Sequence, residues 1–191
     1  MRTSTIMVAV VCVAAAIAIF AGNPTSAVAQ AWGPVASAAG FEGPVTPAAS
    51  VSPESAGQTA APDRPAPPPA RPSDVESMDS IMHAVYDVIS GGAGQKRDWD
   101  RMRSLFGPGA HLIAVGSDKK GGYVVRMVDI DGYINRAAPY FEKEGFFEKE
   151  SARRTEAYGQ IAQVFSTYES RHTASDAEPF ERGINSFQLM N

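Results

Sequence analysis

The sequence predicts an α+β domain, with helices gathered in its first half and a sheet of long antiparallel strands in its second. Two observations carry this. Apolar residues recur at helical spacing from Val75 to Ile89 and again from Ile130 to Phe141, with one pair of short extended runs between them. From Phe146 onward the pattern is extended almost to the end of the chain. A third observation limits the domain: the first 73 of the 191 residues hold 11 of the 14 prolines but only 6 of the 38 charged side chains. Only 118 residues, 74–191, are left to fold.

Arg2 opens a short positive region, and residues 6–21 form an uncharged apolar run, below the roughly 20 residues of a bilayer-spanning helix. Ala27-Val28-Ala29 supplies the small-x-small pattern of a signal peptidase site. Residues 1–29 therefore read as a signal peptide cut after Ala29, giving an exported protein, periplasmic or secreted, that starts at Gln30 and keeps no stable membrane insertion. The alternative is an uncleaved anchor. Cys12, the sole cysteine, lies inside the apolar run behind Val11, which is too large for a lipobox. The processed chain then has no thiol, and its stability rests on packing without disulfides. Residues 30–73 are rich in Ala, Pro, Gly and Ser, and end in the proline run 65–72. They cannot bury enough apolar surface to offset their ordering entropy and read as a disordered, partly polyproline-II tether.

The folding part carries 14 basic and 18 acidic side chains, a net charge of −4 that disfavours nucleic acid as a partner. Ser73-Asp74-Val75-Glu76 has capping-box spacing and starts a helix running to Gly91, with Val75, Met78, Ile81, Met82, Val85, Val88 and Ile89 on its apolar face. The Gly-rich stretch 91–96 follows a helix and lacks the G-K-[ST] ending of a phosphate loop, so it reads as a helix stop and flexible loop. Asp98 caps a short second helix with Trp99, Met102, Leu105 and Phe106 on one face, ended by Gly107-Pro108-Gly109. Residues 110–115 and 123–128 make a hairpin around a solvated tip. Asp129 caps a third helix that buries Ile130, Tyr133, Ile134, Ala137, Ala138 and Phe141 and stops near Gly145. Residues 146–156, 158–171 and 182–189 are three long strands, the last two joined by a polar turn around 175–179.

This order resembles the nuclear transport factor 2-like superfamily, the cone-shaped fold shared by ketosteroid isomerase and the SnoaL-like proteins. The resemblance covers residues 75–191. It is carried by Asp98-Trp99-Asp100-Arg101-Met102 running into Leu105-Phe106, by Tyr133-Ile134-Asn135-Arg136-Ala137 leading to Gly145-Phe146-Phe147-Glu148, and by the strands 162–169 and 182–189. These strings look like exported members without an assigned activity. The resemblance implies three helices packed on a curved antiparallel sheet, with a pocket between the two layers. It also implies a hairpin after the strand 182–189 into a last strand, but the sequence stops at Asn191, where that turn would begin. The expected sheet thus lacks its final strand, through truncation or with an exposed edge that a partner strand could fill.

For chemistry, the resemblance places an oxyanion-stabilising Tyr where Tyr86 lies, and it would need a carboxylate base on the first strand. That strand reads Ala110-His111-Leu112-Ile113-Ala114-Val115 and has no acid, leaving His111 as the nearby base candidate. Which face of this strand points inward is open, because both are apolar. Tyr86, Tyr168, Glu169, Arg182 and Asn185 are the pocket candidates, with a solvated Glu169–Arg182 cross-strand pair as the plainer reading of those two. Glu169 and His172 have i, i+3 spacing, but on a strand they face opposite sides, so no metal is expected, and no motif calls for a cofactor. The expected function is binding of a small hydrophobic ligand, or an accessory role, without catalysis. The alternatives are isomerase-like proton transfer on a hydrophobic carbonyl compound by Tyr86 and His111, and a homodimer or interaction module using the outer sheet face.

Overall fold

A computed structural model describes residues 7–12, 68–117 and 122–191 of the chain. The expected signal peptide outside 7–12, the tether up to residue 67 and the hairpin tip at 118–121 lie outside the described residues. The described parts form an α+β fold of four helices and one sheet: β1 (Met7–Cys12), α1 (Pro72–Val75), α2 (Met78–Ile89), α3 (Trp99–Leu105), β2 (Phe106–Ser117), β3 (Tyr123–Asp129), α4 (Ile130–Lys143), β4 (Phe147–Tyr158), β5 (Ile161–Arg171) and β6 (Glu181–Met190). Among these residues no helix is long and apolar enough to cross a membrane.

Local chemistry explains most boundaries and corrects several. The expected first helix is two pieces, because the working cap is Ser77, not Ser73. The backbone of Ser77 is extended and its Oγ accepts from the Ser80 N–H at 3.0 Å. The single turn of α1 ahead of it is fixed from outside: Asp74 accepts two bonds from the Arg101 guanidinium, at 2.8 and 3.0 Å. Asp98 and Asp129 cap α3 and α4 as expected, through the N–H groups of Arg101 and Gly132. Gly107-Pro108-Gly109 does not break the chain into a loop. It belongs to β2, which begins directly at Phe106. The turn between β4 and β5 falls at Gly159-Gln160, so Tyr158 closes β4 and does not open β5.

The Gly-rich stretch 91–96 is more ordered than its composition implies. Buried Arg97 donates to the carbonyls of Ile89, Gly91, Gly92 and Gln95 at 2.6–3.3 Å, and its guanidinium lies 4.9 Å from the Phe141 ring centre. A Cβ on Gly91 would sit 2.7 Å from Arg97 Nη1. The glycine is needed for this approach.

The sheet order is β3-β2-β1-β6-β5-β4. β4, β5 and β6 are antiparallel neighbours, as are β2 and β3. β1 joins these two groups, antiparallel to β6 and parallel to β2. The unpaired edge expected on β6 is therefore covered. The core lies where α2, α3 and α4 meet the inner sheet face, around Ile81, Met102, Leu105, Phe141, Phe146 and Phe187. Along β5 and β6 the burial alternates strictly, with Ala162, Val164, Ser166, Tyr168 and Ser170 inward and facing Asn185, Phe187 and Leu189.

Candidate functional site

The candidate site is a buried polar cluster between α2 and the strands β4, β5 and β6. Its position follows from Ser90, which stitches the end of α2 to β4. Ser90 Oγ donates to the Tyr86 carbonyl at 2.7 Å and accepts from the Glu148 N–H at 3.0 Å. Tyr86, on the last full turn of α2, is thereby held over the inner faces of β5 and β6.

From there a directed chain of hydrogen bonds runs. Asn185 Nδ2 donates to the Tyr86 hydroxyl at 3.3 Å, and the Tyr86 hydroxyl lies 2.8 Å from Ser166 Oγ. Ser166 Oγ donates onward to Glu150 at 2.6 Å, so Tyr86 is the donor to Ser166. Glu150 in turn is gripped by the Arg153 guanidinium, which also holds Asp79. The second branch centres on Glu148, only 5% exposed. Its carboxyl accepts from Ser170 Oγ at 2.8 Å and lies 3.4 Å from the same Asn185 amide nitrogen.

Burial dominates the titration of this cluster. It pushes the Glu148 carboxyl up to about 8, against the smaller opposing effect of the Ser170 bond, so Glu148 is mostly protonated at neutral pH. Burial likewise lifts Glu181, at the start of β6, to about 7. The same cause drives the Tyr86, Tyr133 and Tyr168 hydroxyls well above the usual phenol range, so none ionises near neutrality. The Tyr168 ring packs against Gly183, its cross-strand partner, where an added Cβ would collide with the hydroxyl and the ring edge. That hydroxyl and Glu181 Oε2 are buried without a hydrogen-bond partner among the described residues.

Two cavities meet at Tyr86 and Glu148. The outer one is an open cleft of about 510 Å³ between α2 and β4, lined by polar and charged residues such as His83, Ser90, Lys149 and Arg153 but presenting more apolar than polar surface. The inner one is about 30 Å³, lined by Val85, Ile89, Met102, Leu112, Phe187 and other core residues. Its volume matches about one water molecule.

The structure brings together three of the residues expected from the sequence, Tyr86, Tyr168 and Asn185. It separates the others. Glu169 and Arg182 point to the outer sheet face, where they face each other across β5 and β6 and form an ion pair at 3.2 Å, with Arg171 also on Glu169. They are not pocket residues, because strand alternation turns each away from its inward neighbours Tyr168 and Asn185. His111 fails for the same reason. Leu112 faces the core while half-buried His111 shares the opposite face with Ile113 and Val115, so it cannot act with Tyr86.

Glu148, Ser166 and Ser170 were not singled out by sequence. A faint signal existed: Glu148 sits two residues after Phe146, on the face a strand would bury, and Ser166 and Ser170 alternate with Val164 and Tyr168. In comparisons with known proteins the chain matches no family model, no curated protein and no solved structure.

Proposed function

We propose that the domain binds a small ligand in the cleft between α2 and β4, with a polar group of that ligand seated against Glu148 and Tyr86. The observation that carries this reading is Glu148: a carboxyl buried in the interior beside Ser170 and Asn185, yet bordering both cavities. A neutral carboxyl there adds an O–H donor beside the Asn185 amide, a pairing suited to a carbonyl or carboxylate oxygen. The inner space accommodates only a methyl-sized tip, while the cleft wall presents more apolar than polar surface beside its charged side chains. The ligand therefore carries a polar group for Glu148 and Tyr86 together with apolar surface for the rest of the cleft wall.

The test is a titration with a panel of small amides, ketones and carboxylates, followed by backbone amide NMR. Shifts confined to Ser90, Glu148 and Lys149, and abolished by Glu148→Gln, are expected. A panel that leaves these amides unmoved at millimolar concentration overturns the reading.

A second reading, isomerase-like proton transfer, gains from the same residue. Glu148 supplies the titratable carboxyl that β2 lacks, and Asn185 bridges it to Tyr86. Exchange of α-hydrogens of ketones for solvent deuterium, lost in Glu148→Gln, would mark it. The nuclear transport factor 2-like relationship is part of the same proposal. It is supported by the order of elements and by the polar cluster lying between the helical layer and the sheet. Exposed Val115, Val125, Met127, Phe165 and Ile184 on the outer face support homodimerisation through that face. Light scattering on the full chain tests it, and a monomer at all concentrations would count against it.

A further inference from the structure

β2 and β6 share no backbone pairing. Each is bonded only to β1 along the edge that faces the other. β1 matches Val11 to Leu112 on one side and to Phe187 on the other, and it matches Cys12 to Ile113 and Ser186. The flanking residues set what the slot accepts. Leu112, Phe187 and Leu189 are buried toward the core, so the inward side of an occupant must be apolar. The outward side is flanked by Ile113 and Met190 but also by His111, Ser186 and Gln188, so the apolar requirement holds for the inward side alone. β1 is apolar at all six residues and meets it.

Those six residues also lie inside the apolar run 6–21, which sequence reading assigns to a leader removed after Ala29. Removal would leave two rows of unpaired backbone N–H and C=O groups facing each other in the middle of a sheet. Such rows are a strong template for strand addition.

We propose that the gap between β2 and β6 is a strand-acceptor site. The chain's own residues 7–12 hold it before the cut. Afterwards it takes an extended peptide of at least about six residues, the length of an average strand, running parallel to β2 and antiparallel to β6. Recognition is by backbone hydrogen bonds along both sides, with apolar side chains selected on the inward face.

Two arms test this. In the full chain carrying Ser186→Cys, oxidation should join Cys12, the chain's sole natural cysteine, to the thiol introduced at position 186 within one molecule, while Arg182→Cys, beyond the paired register, should give no such bond. No disulfide in the Ser186→Cys variant, or one linking two chains, overturns the intrachain assignment. In the second arm residues 30–191 are refolded with and without a synthetic peptide of residues 5–14 bearing Cys12→Ser. At a peptide concentration about ten times its Kd, amide exchange on the facing edges of β2 and β6 should slow about tenfold. If refolding succeeds only with the peptide present, that also supports the site. Edges equally protected without peptide, or a domain that the peptide neither binds nor restores while the full chain folds, overturn it.

Discussion

The two halves of the interior are built on different physics. Between α3, α4 and the start of β4 the buried contacts are apolar, with the Arg103–Asp131 ion pair kept at the rim: Trp99 stacks on Phe141 with ring centres 6.0 Å apart, and Phe141 meets Phe146 at 5.2 Å. The buried cation nearby, Arg97, is spent on backbone carbonyls of its own loop. Between α2 and β4, β5 and β6, at equal depth, lie Tyr86, Glu148, Ser166, Tyr168, Ser170 and Asn185. The first half is held by area removed from water. The second half works against that gradient, since each buried polar group must find a partner or shift its titration. It follows that the apolar half should govern stability and the polar half should govern how stability and binding respond to pH.

The largest expected effect tests the apolar half. Phe141→Ala removes a fully buried ring and should destabilise the fold by about 3–5 kcal/mol in chemical denaturation. The titration of Glu148, followed by carboxyl NMR, should move little where the variant remains folded. A large shift in Glu148 would show that the halves are coupled.

The pH response sharpens the contrast. Glu148 has its folded value raised from 4.5 to about 8, and Glu181 from 4.5 to about 7, so the folded state keeps protons that the unfolded chain releases. Their stabilising contribution is complete below about pH 4.5 and is lost as pH rises through the folded values. Each group costs about 1.4 kcal/mol per pH unit inside its window. Asp74 runs the other way. Arg101 holds it below its ordinary value of 3.8, so its contribution is present above that value and is lost on acidification. Thermal melting should therefore be highest in mildly acidic buffer and fall toward pH 8. Glu148→Gln should remove roughly half of that fall, and an unchanged profile would show that Glu148 is not the titrating group.

A smaller effect is expected from Ser166→Ala. It deprives Glu150 of a donor and Tyr86 of its acceptor, a loss of about 1–3 kcal/mol, measurable by urea denaturation. Least of all, Arg182→Ala on the outer face should leave the melting temperature unchanged, because its partner Glu169 is engaged by Arg171 and the pair is open to solvent. A clear drop there would mean that the outer face is covered in solution.

Much of the helical half was legible because helix signals are local. Asp98 and Asp129 act at three-residue range, and the stripe Tyr133, Ile134, Ala137 and Phe141 needs only the period of a helix. The misplaced cap at Ser73 shows the limit. Two serines four residues apart offer similar local chemistry, and the choice went to Ser77 because Arg101, 27 residues beyond Asp74, pins the preceding turn. Tyr86 was recognisable through the family resemblance, and Asn185 as a polar residue on one of the last strands. Their meeting was not, since 99 residues separate them.

The α+β class, the order of the elements from α2 to β6 and the capping of α3 and α4 were determined by the sequence itself, through periodicity and short-range hydrogen bonding. Which face of each strand is buried, and hence that His111, Glu169 and Arg182 leave the site while Glu148 enters it, was decided only by the tertiary structure. So was the placing of residues 7–12 between β2 and β6. Strand pairing and burial depend on partners distant in the chain, and where both faces of a strand are apolar, alternation alone does not say which one the helices will cover.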